Sequence, residues 1–335
     1  SEHLPKWVPV SIAGYNGGDT GLNAWQELGA VLANAIEYLD EVKRRGRMDM
    51  TVAAQRVGGV NFRTTMEIFE DAAKLRAARK MWHKLLTERY GITDERALRM
   101  RIHIVTSGAY MQYQQPFNNI VRGTMMALTA VLGGTQSLGV SGYDEAISIP
   151  SEHAHQMAVR IQQILEHETN IPAVTDPLGG SYYVESLTAE LERRAWEFVD
   201  QLLAQGGFLA TLDSGWLHAR ARENQESQAI AEARGERKIV GVNCFKEDIT
   251  PWEVDGFPPV TDAYPVALER LHAVRRERHE SAATAAMHEL AATCRDANRN
   301  IMPVMMQAVD AEVTIGEIGD IFRQAWGDWQ TPKLV

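Results

Sequence analysis

The sequence predicts an α/β protein of parallel strand–helix units followed by a helix-rich extension, and three observations predict it. First, four short apolar stretches, Val8–Ala13, Arg56–Phe62, Arg101–Ser107 and Thr135–Val140, are each followed by a longer stretch with apolar residues every three to four positions. Second, Arg101–Pro150 shows the unit most plainly. A β-branched strand leads into a polar and aromatic loop, Gly108–Gln115, then a helix entered at Pro116, a second strand and the loop Ser141–Glu145. Third, the pattern changes at Asp176, where DPLGGSYY reads as a turn-rich connector and the rest as mostly helical. Eight strand–helix units close a β/α barrel, so four make half of one or an open parallel sheet.

The elements follow in order. Pro9 is tolerable near the start of the first strand, and Gly14–Gly18 reads as the turn after it. Asp19 is the expected cap of a helix whose stripe is Leu22, Trp25, Leu28, Leu32, Ala35, Ile36 and Leu39, ending in Lys43, Arg44, Arg45 and Gly46. Thr64 and Glu67 have the spacing of a capping box, and their helix should reach Tyr90, with Ile68, Ala72, Leu75, Trp82 and Leu85 inward and Gly91 as its stop. The next helix offers Val121, Met125, Leu128 and Leu132, and the one from Ser151 to Glu168 offers Ala154, Met157, Ile161, Ile164 and Leu165. Later helices are expected at 186–205, 217–234, 263–277, 280–298 and 314–325, with a strand-like KIVGV at 238–242 and a loop at Pro258-Pro259. The domains expected are therefore 1–175, strand–helix units, and 176–335, a mostly helical extension.

Composition narrows the function. With 45% hydrophobic and 23% charged residues in 335, the chain is of ordinary globular type. A net charge of −10 argues against general nucleic-acid binding. Cys244 and Cys294 are too few for a disulfide framework, and no CxxC or Cys/His metal cluster is present, so a reducing cytoplasm is the simple expectation. No apolar run approaches the length of a membrane span.

Four segments carry a family likeness: GGTQSL at 133–138, GYDEAISIP at 142–150, DPLGGSYYVE at 176–185 and WGDWQTP at 326–332. Together they resemble the large subunit of the coenzyme-B12-dependent acyl-CoA mutases, the methylmalonyl-CoA mutase family, and among these the 2-hydroxyisobutyryl-CoA mutase type. The likeness runs from about Ser11 to the C-terminus. It implies the second half of a TIM-type β/α barrel, with the missing half supplied by another polypeptide, a second copy or a segment outside this sequence, because exposed parallel edges are poorly tolerated. It implies an acyl-CoA substrate and adenosylcobalamin. The D-x-H-x-x-G motif, by which the family's cobalamin domain presents a His to cobalt, is missing: none of the ten His has Asp two residues before it. A separate small subunit should therefore hold the cofactor.

The resemblance also assigns residues. Tyr15 and Asn16 stand where the family has Tyr-His, the His contacting the thioester carbonyl; Asn16 can donate a hydrogen bond but cannot carry a proton. Arg56 matches an arginine that holds coenzyme A, although Val57-Gly58-Gly59 replaces bulkier neighbours. His103 matches a His near the cofactor, and Val105 replaces a Gln. Gln136 and Glu145 match residues facing the corrin and adenosyl group, while Gly139-Val140-Ser141 replaces His-Thr-Asn. Each assignment has a plainer alternative: a glycine-rich turn for Tyr15 and Asn16, a surface arginine for Arg56, a core histidine for His103, a helix-start charge for Glu145. Tyr182, Tyr183 and Glu185 read as structural. The departures at Asn16, Val105 and Gly139 imply either a mutase for an acyl-CoA other than methylmalonyl-CoA or a non-catalytic scaffold that kept the fold.

Overall fold

A computed structural model describes residues 7–57, 59–247, 254, 256–257 and 261–330. The expected loop at Pro258-Pro259 and the last two residues of WGDWQTP lie outside them. The chain forms two compact units, divided after Phe257.

The first unit is built on a four-stranded, wholly parallel sheet in the order β1-β2-β3-β4. Strand β1 is only Ile12–Ala13, shorter than the expected Val8–Ala13. The expected turn after it is a helix, α1 (Gly14–Asp19). Its glycines do more than turn the chain: a Cβ on Gly14 would stand 2.7 Å from a Val31 methyl and 2.9 Å from the Asn61 carbonyl, so only glycine lets α1 settle this close. Asp19 is accordingly the last residue of α1 rather than a cap. The cap of α2 (Ala24–Arg45) is Asn23, which forms a reciprocal capping box with Gln26. Gly46 ends α2 in the left-handed conformation.

Arg56 lies in a helix, α3 (Met50–Val57), not in a strand. The Asp49 carboxylate accepts the Thr51 and Val52 amides and starts that helix, and Ala53, Ala54 and Val57 bury one face of it. Strand β2 is Gly59–Thr64. The expected Thr64–Glu67 capping box does not form, because Thr64 is still in the strand and donates to the Met126 carbonyl at 3.0 Å. Helix α4 (Ile68–Lys84) runs on through a π-helical turn, Leu85–Arg89, to the stop at Gly91. A short helix α5 (Glu95–Leu98) precedes β3 (Arg101–Thr106).

Helix α6 (Asn118–Leu132) starts two residues beyond Pro116 and is rotated by about one residue from the expected stripe. Arg122, Met126, Thr129 and Ala130 are buried, whereas Val121 is 63% exposed. Polar partners set that rotation. Asn119 bonds the Gln112 and Tyr143 carbonyls, and Arg122 bonds Asn119 and the Val240 carbonyl. Strand β4 is Ser137–Gly139, shorter than 135–140, and α7 (Glu152–His167) is capped by Ser151. In α7, Ala158 is buried where Met157 and Ile164 were expected; both are exposed.

Helix α8 (Tyr182–Ala204) begins four residues before the expected 186 and packs on α2 and α4. Glu185 and Asp176 both hold Arg76, and Tyr183 meets Phe69 edge-on at 5.7 Å, so the DPLGGSYYVE segment fastens α8 to α4. Helices α9 (Phe208–Asp213) and α10 (Trp216–Ala233) follow. The KIVGV segment makes a single bridge, Val240 to Cys244, and no strand.

A shared core joins α2, α4 and α8 to one face of the sheet. Ile12, Val60, Phe62, Ile102 and Ile104 meet Leu28, Leu32, Leu75, Trp82, Leu191 and Val199, all nearly inaccessible. Burying each such side chain contributes about 1.5–3 kcal/mol.

The second unit holds α11 (Ala263–Glu277), α12 (Glu280–Cys294), α13 (Ile301–Asp310) and α14 (Ile315–Trp326). The expected helix 280–298 is thus two, because the chain turns after Cys294 and Asn300 caps α13. Its core includes Leu290, Val304, Ala308 and Ile318. Arg278 grips Glu280 and Glu317, and Glu317 closes a capping box with Thr314.

Candidate functional site

Strand residues alternate between faces, so the residues between the core positions point to the opposite side. Pairing aligns Ala13, Asn61, His103 and Ser137 in one row, and Arg63, Val105 and Gly139 in the next. Ala13 and Ser137 are exposed; Asn61, His103, Val105 and Gly139 are half-buried. Two side-chain hydrogen bonds involve the first row. His103 Nδ1 meets Ser137 Oγ at 2.6 Å, and Asn61 Nδ2 donates to Ser11 Oγ at 3.4 Å. At Gly139 an added Cβ would find no atom nearer than 3.8 Å, so that part of the face is roomy. One face of the sheet is thus apolar and covered by helices, and the other carries the polar Asn61, His103 and Ser137 and is accessible along that row, with Arg63 buried in the next.

The carboxyl ends of the strands converge on a charged cluster. Asp19, at the end of α1, accepts from Ser107 Oγ at 2.5 Å and lies 3.4 Å from Arg63 Nη1. Tyr15 stands four residues before Asp19 on α1, near that carboxylate. Burial, then the charge of Asp19 and its hydrogen bond, push the Tyr15 phenol up to about 12, and Glu145 adds to the rise. The Glu145 carboxyl lies against Gly108, and burial, then Asp144 and Asp19, raise it above the ordinary glutamate range. Beneath them runs a buried ionic network. Lys74 Nζ bonds Glu27 at 2.8 Å, Asp71 at 2.9 Å and the Arg63 carbonyl at 2.8 Å. Burial alone would pull the Lys74 amine down; Asp71 and Glu27 outweigh it and hold it above its ordinary value. Asp71 in turn accepts the Thr65 amide and hydroxyl.

The structure therefore brings together Tyr15 and Glu145, which follow the two edge strands, and places His103, Val105 and Gly139 on the accessible face. Asn16, on α1, is exposed. The other two residues lie elsewhere. Arg56 sits on α3, before the amino end of β2, and its Nη1 donates to the Trp7 carbonyl at 2.6 Å. Gln136 precedes β4; its side chain accepts the Ile102 amide at 2.7 Å and donates to the Gly134 carbonyl at 3.1 Å. Gln136 and Glu145 thus stand at opposite ends of the sheet. The sequence alone marks Asp19 only as a helix cap, and marks none of Arg63, Ser107, Glu27 and Lys74 as a site residue. A signal existed for two of them: Lys74 stands between Ala73 and Leu75, and Glu27 directly before Leu28, on helix stretches that are buried.

Residues 1–328 match the family model described as methylmalonyl-CoA mutase. The chain is 35% identical to a 2-hydroxyisobutanoyl-CoA mutase large subunit from Aquincola tertiaricarbonis, over 99% of this chain and 59% of that protein. It is 38% identical to a methylmalonyl-CoA mutase from Cereibacter sphaeroides, over 98% of this chain and 46% of that protein. The methylmalonyl-CoA mutase of Escherichia coli is 33% identical over 99% of this chain and 46% of its own length. The chain spans about half the length of these relatives. Its match to the family model, across nearly all of its length, shows that the chain belongs to the methylmalonyl-CoA mutase family.

Proposed function

We propose that this chain forms one wall of an adenosylcobalamin-dependent acyl-CoA mutase, an isomerase that rearranges the carbon skeleton of an acyl-CoA thioester. The observation that supports it most is the two-faced sheet. A family chain that covers one sheet face with helices and leaves a polar row on the other has the inner wall of a β/α barrel, with four of eight strands present. Further polypeptide closes the barrel by pairing with β1 and β4.

The accessible face then takes the coenzyme A arm lengthwise. The six residues of β2 span roughly 20 Å, with Arg56 near the amino end for the phosphates and Asn16 at the carboxyl end for the thioester carbonyl. Asn61, His103 and Ser137 offer hydrogen bonds to the amides between. The residues at the carboxyl end also fit the cofactor. Gly108 and Gly139 lack side chains there, and Glu145 presents a partly desolvated carboxyl. Bound adenosylcobalamin would supply the radical that such a rearrangement requires. This chain's residues orient the thioester, keep Tyr15 protonated and exclude water. D-x-H-x-x-G is not among these 335 residues, so in this reading a cobalamin-binding polypeptide beyond them presents the group. Asn16, Val105 and Gly139 shape a pocket for an acyl group other than methylmalonyl.

The test is reconstitution of this chain with a first-half barrel polypeptide and a cobalamin-binding subunit. Adenosylcobalamin titrated by absorbance should bind the full complex tightly and this chain alone weakly. Tight binding to this chain alone would refute the divided arrangement, and no binding to the full complex would refute the mutase reading.

A further inference from the structure

Asn119 stands in the first turn of α6 and is 1% exposed. Its side-chain amide uses all four of its hydrogen-bonding positions. Nδ2 donates to the Gln112 carbonyl at 2.8 Å and to the Tyr143 carbonyl at 2.9 Å. Oδ1 accepts the Gln112 amide at 3.0 Å and Arg122 Nη1 at 2.7 Å. Gln112 belongs to the loop after β3 and Tyr143 to the loop after β4, so one amide joins the two loops. Arg122 carries the link further, because its Nη2 donates to the Val240 carbonyl, beyond α10, at 2.8 Å. Of the buried cations Arg63, Lys74, Arg122 and Arg278, the other three each face a carboxylate, whereas Arg122 is paired with none among the described residues. A guanidinium buried without a counter-charge is costly, and its contacts with Asn119 and Val240 are what offset that cost. Glu145 follows Tyr143 by two residues and leans on the other loop, where a Cβ on Gly108 would stand 3.3 Å from Glu145 Cγ. The loop after β4 is also pinned on either side of Tyr143. The Ser141 amide and hydroxyl both bond Thr106, at 2.8 Å each, and Asp144 accepts the Ser151 amide at 2.7 Å.

We propose that Asn119 and Arg122 are positioning residues: they lock the loop after β3 to the loop after β4, and both to the chain beyond α10, so that Glu145 is held at the carboxyl rim before any ligand arrives. Only a side-chain amide can fill the place of Asn119, since two donors and a doubly accepting oxygen must sit on one group. Arg122 is not needed there as a charge but as a fork, one arm on Asn119 and the other on Val240. The place of this lock in catalysis rests on the mutase reading; the lock itself does not.

The experiment has two readouts, backbone hydrogen exchange of the full chain by mass spectrometry and turnover of the reconstituted complex. Asn119→Asp keeps the size of the side chain and the acceptor for Arg122 but removes both donors. It should speed exchange over residues 141–148 about tenfold and leave α2 and α4 unchanged, whereas general destabilisation would speed all of them together. Arg122→Gln should speed exchange over 237–243, and over 141–148 by less, and Arg122→Lys should restore part of the protection. In the complex, Asn119→Asp should lower kcat about tenfold, with KM for the acyl-CoA little changed. Exchange over 141–148 that is unaltered in both Asn119→Asp and Arg122→Gln, or that rises equally across the chain, would overturn the proposal. So would faster exchange there with full turnover in the complex. If Asn119→Asp does not fold, Arg122→Gln alone decides. Faster exchange over 141–148, with no turnover even in the unsubstituted complex, upholds the lock and rejects the mutase reading.

Discussion

The two faces of the sheet are made from the same strands and obey opposite rules. Phe62 and Ile104 are fully buried against helices, while their neighbours Asn61 and Val105 face an accessible surface. Stability is concentrated on the first face, and the residues assigned to chemistry stand on the second or at its carboxyl rim. The lesson is that a period of two along a strand lets folding and function be separated residue by residue.

Buried charge should show the largest effect. Lys74→Met leaves Glu27 and Asp71 without their cation in the interior and should destabilise the chain by about 3–5 kcal/mol, measured by urea denaturation. Phe62→Ala on the covered face should cost a similar amount, about 3–5 kcal/mol, whereas Asn61→Ala, one residue away, should stay within about 0.5 kcal/mol in the free chain. Equal costs at 61 and 62 would contradict the two-faced sheet.

Gly14→Ala tests the seat of α1. Its Cβ would collide with Val31 and with the Asn61 backbone, which cannot rotate away. A loss of about 1–3 kcal/mol is expected, and an unchanged midpoint would show that α1 sits more loosely than described.

These contrasts also show what the sequence could reveal. Four strand–helix units, the parallel pairing and most helix lengths follow from periodicity, which is a local property. The misread places share a cause. GYNGGD looked like a turn because glycine marks turns, yet here glycine serves close approach to β2. Arg56 looked like a strand residue because the apolar pattern before Gly59 is too short to tell strand from helix. The α6 stripe came out rotated because Asn119 and Arg122 find distant partners that no local pattern reports. Tyr15, Asn16, His103, Val105, Gly139 and Glu145 were singled out through family resemblance; Asp19 was visible in the sequence, but its partner Ser107 is 88 residues away.

The smallest effect is expected at the rim of the accessible face. Burial and the carboxylates of Asp144 and Asp19 raise the Glu145 carboxyl above its ordinary value. A raised acid is a stability cost that appears as pH rises past the ordinary glutamate range and vanishes below it. Glu145→Gln should therefore raise the melting temperature slightly at neutral pH and leave it unchanged in acid, while weakening adenosylcobalamin retention in the reconstituted complex. A lower melting temperature at neutral pH would assign Glu145 to the scaffold instead.

The most direct measurement is turnover. This chain, a first-half barrel polypeptide and a cobalamin-binding subunit are mixed with adenosylcobalamin, and the isomerisation of 2-hydroxyisobutanoyl-CoA and of methylmalonyl-CoA is followed by chromatography of the thioesters. The account predicts isomerisation that needs all three polypeptides, favours a substrate other than methylmalonyl-CoA, and falls at least tenfold with His103→Ala while the free chain keeps its stability. An assembled, cofactor-loaded complex that isomerises neither thioester, or whose turnover ignores His103→Ala, would contradict the assignment of the accessible face as the wall of the reaction chamber.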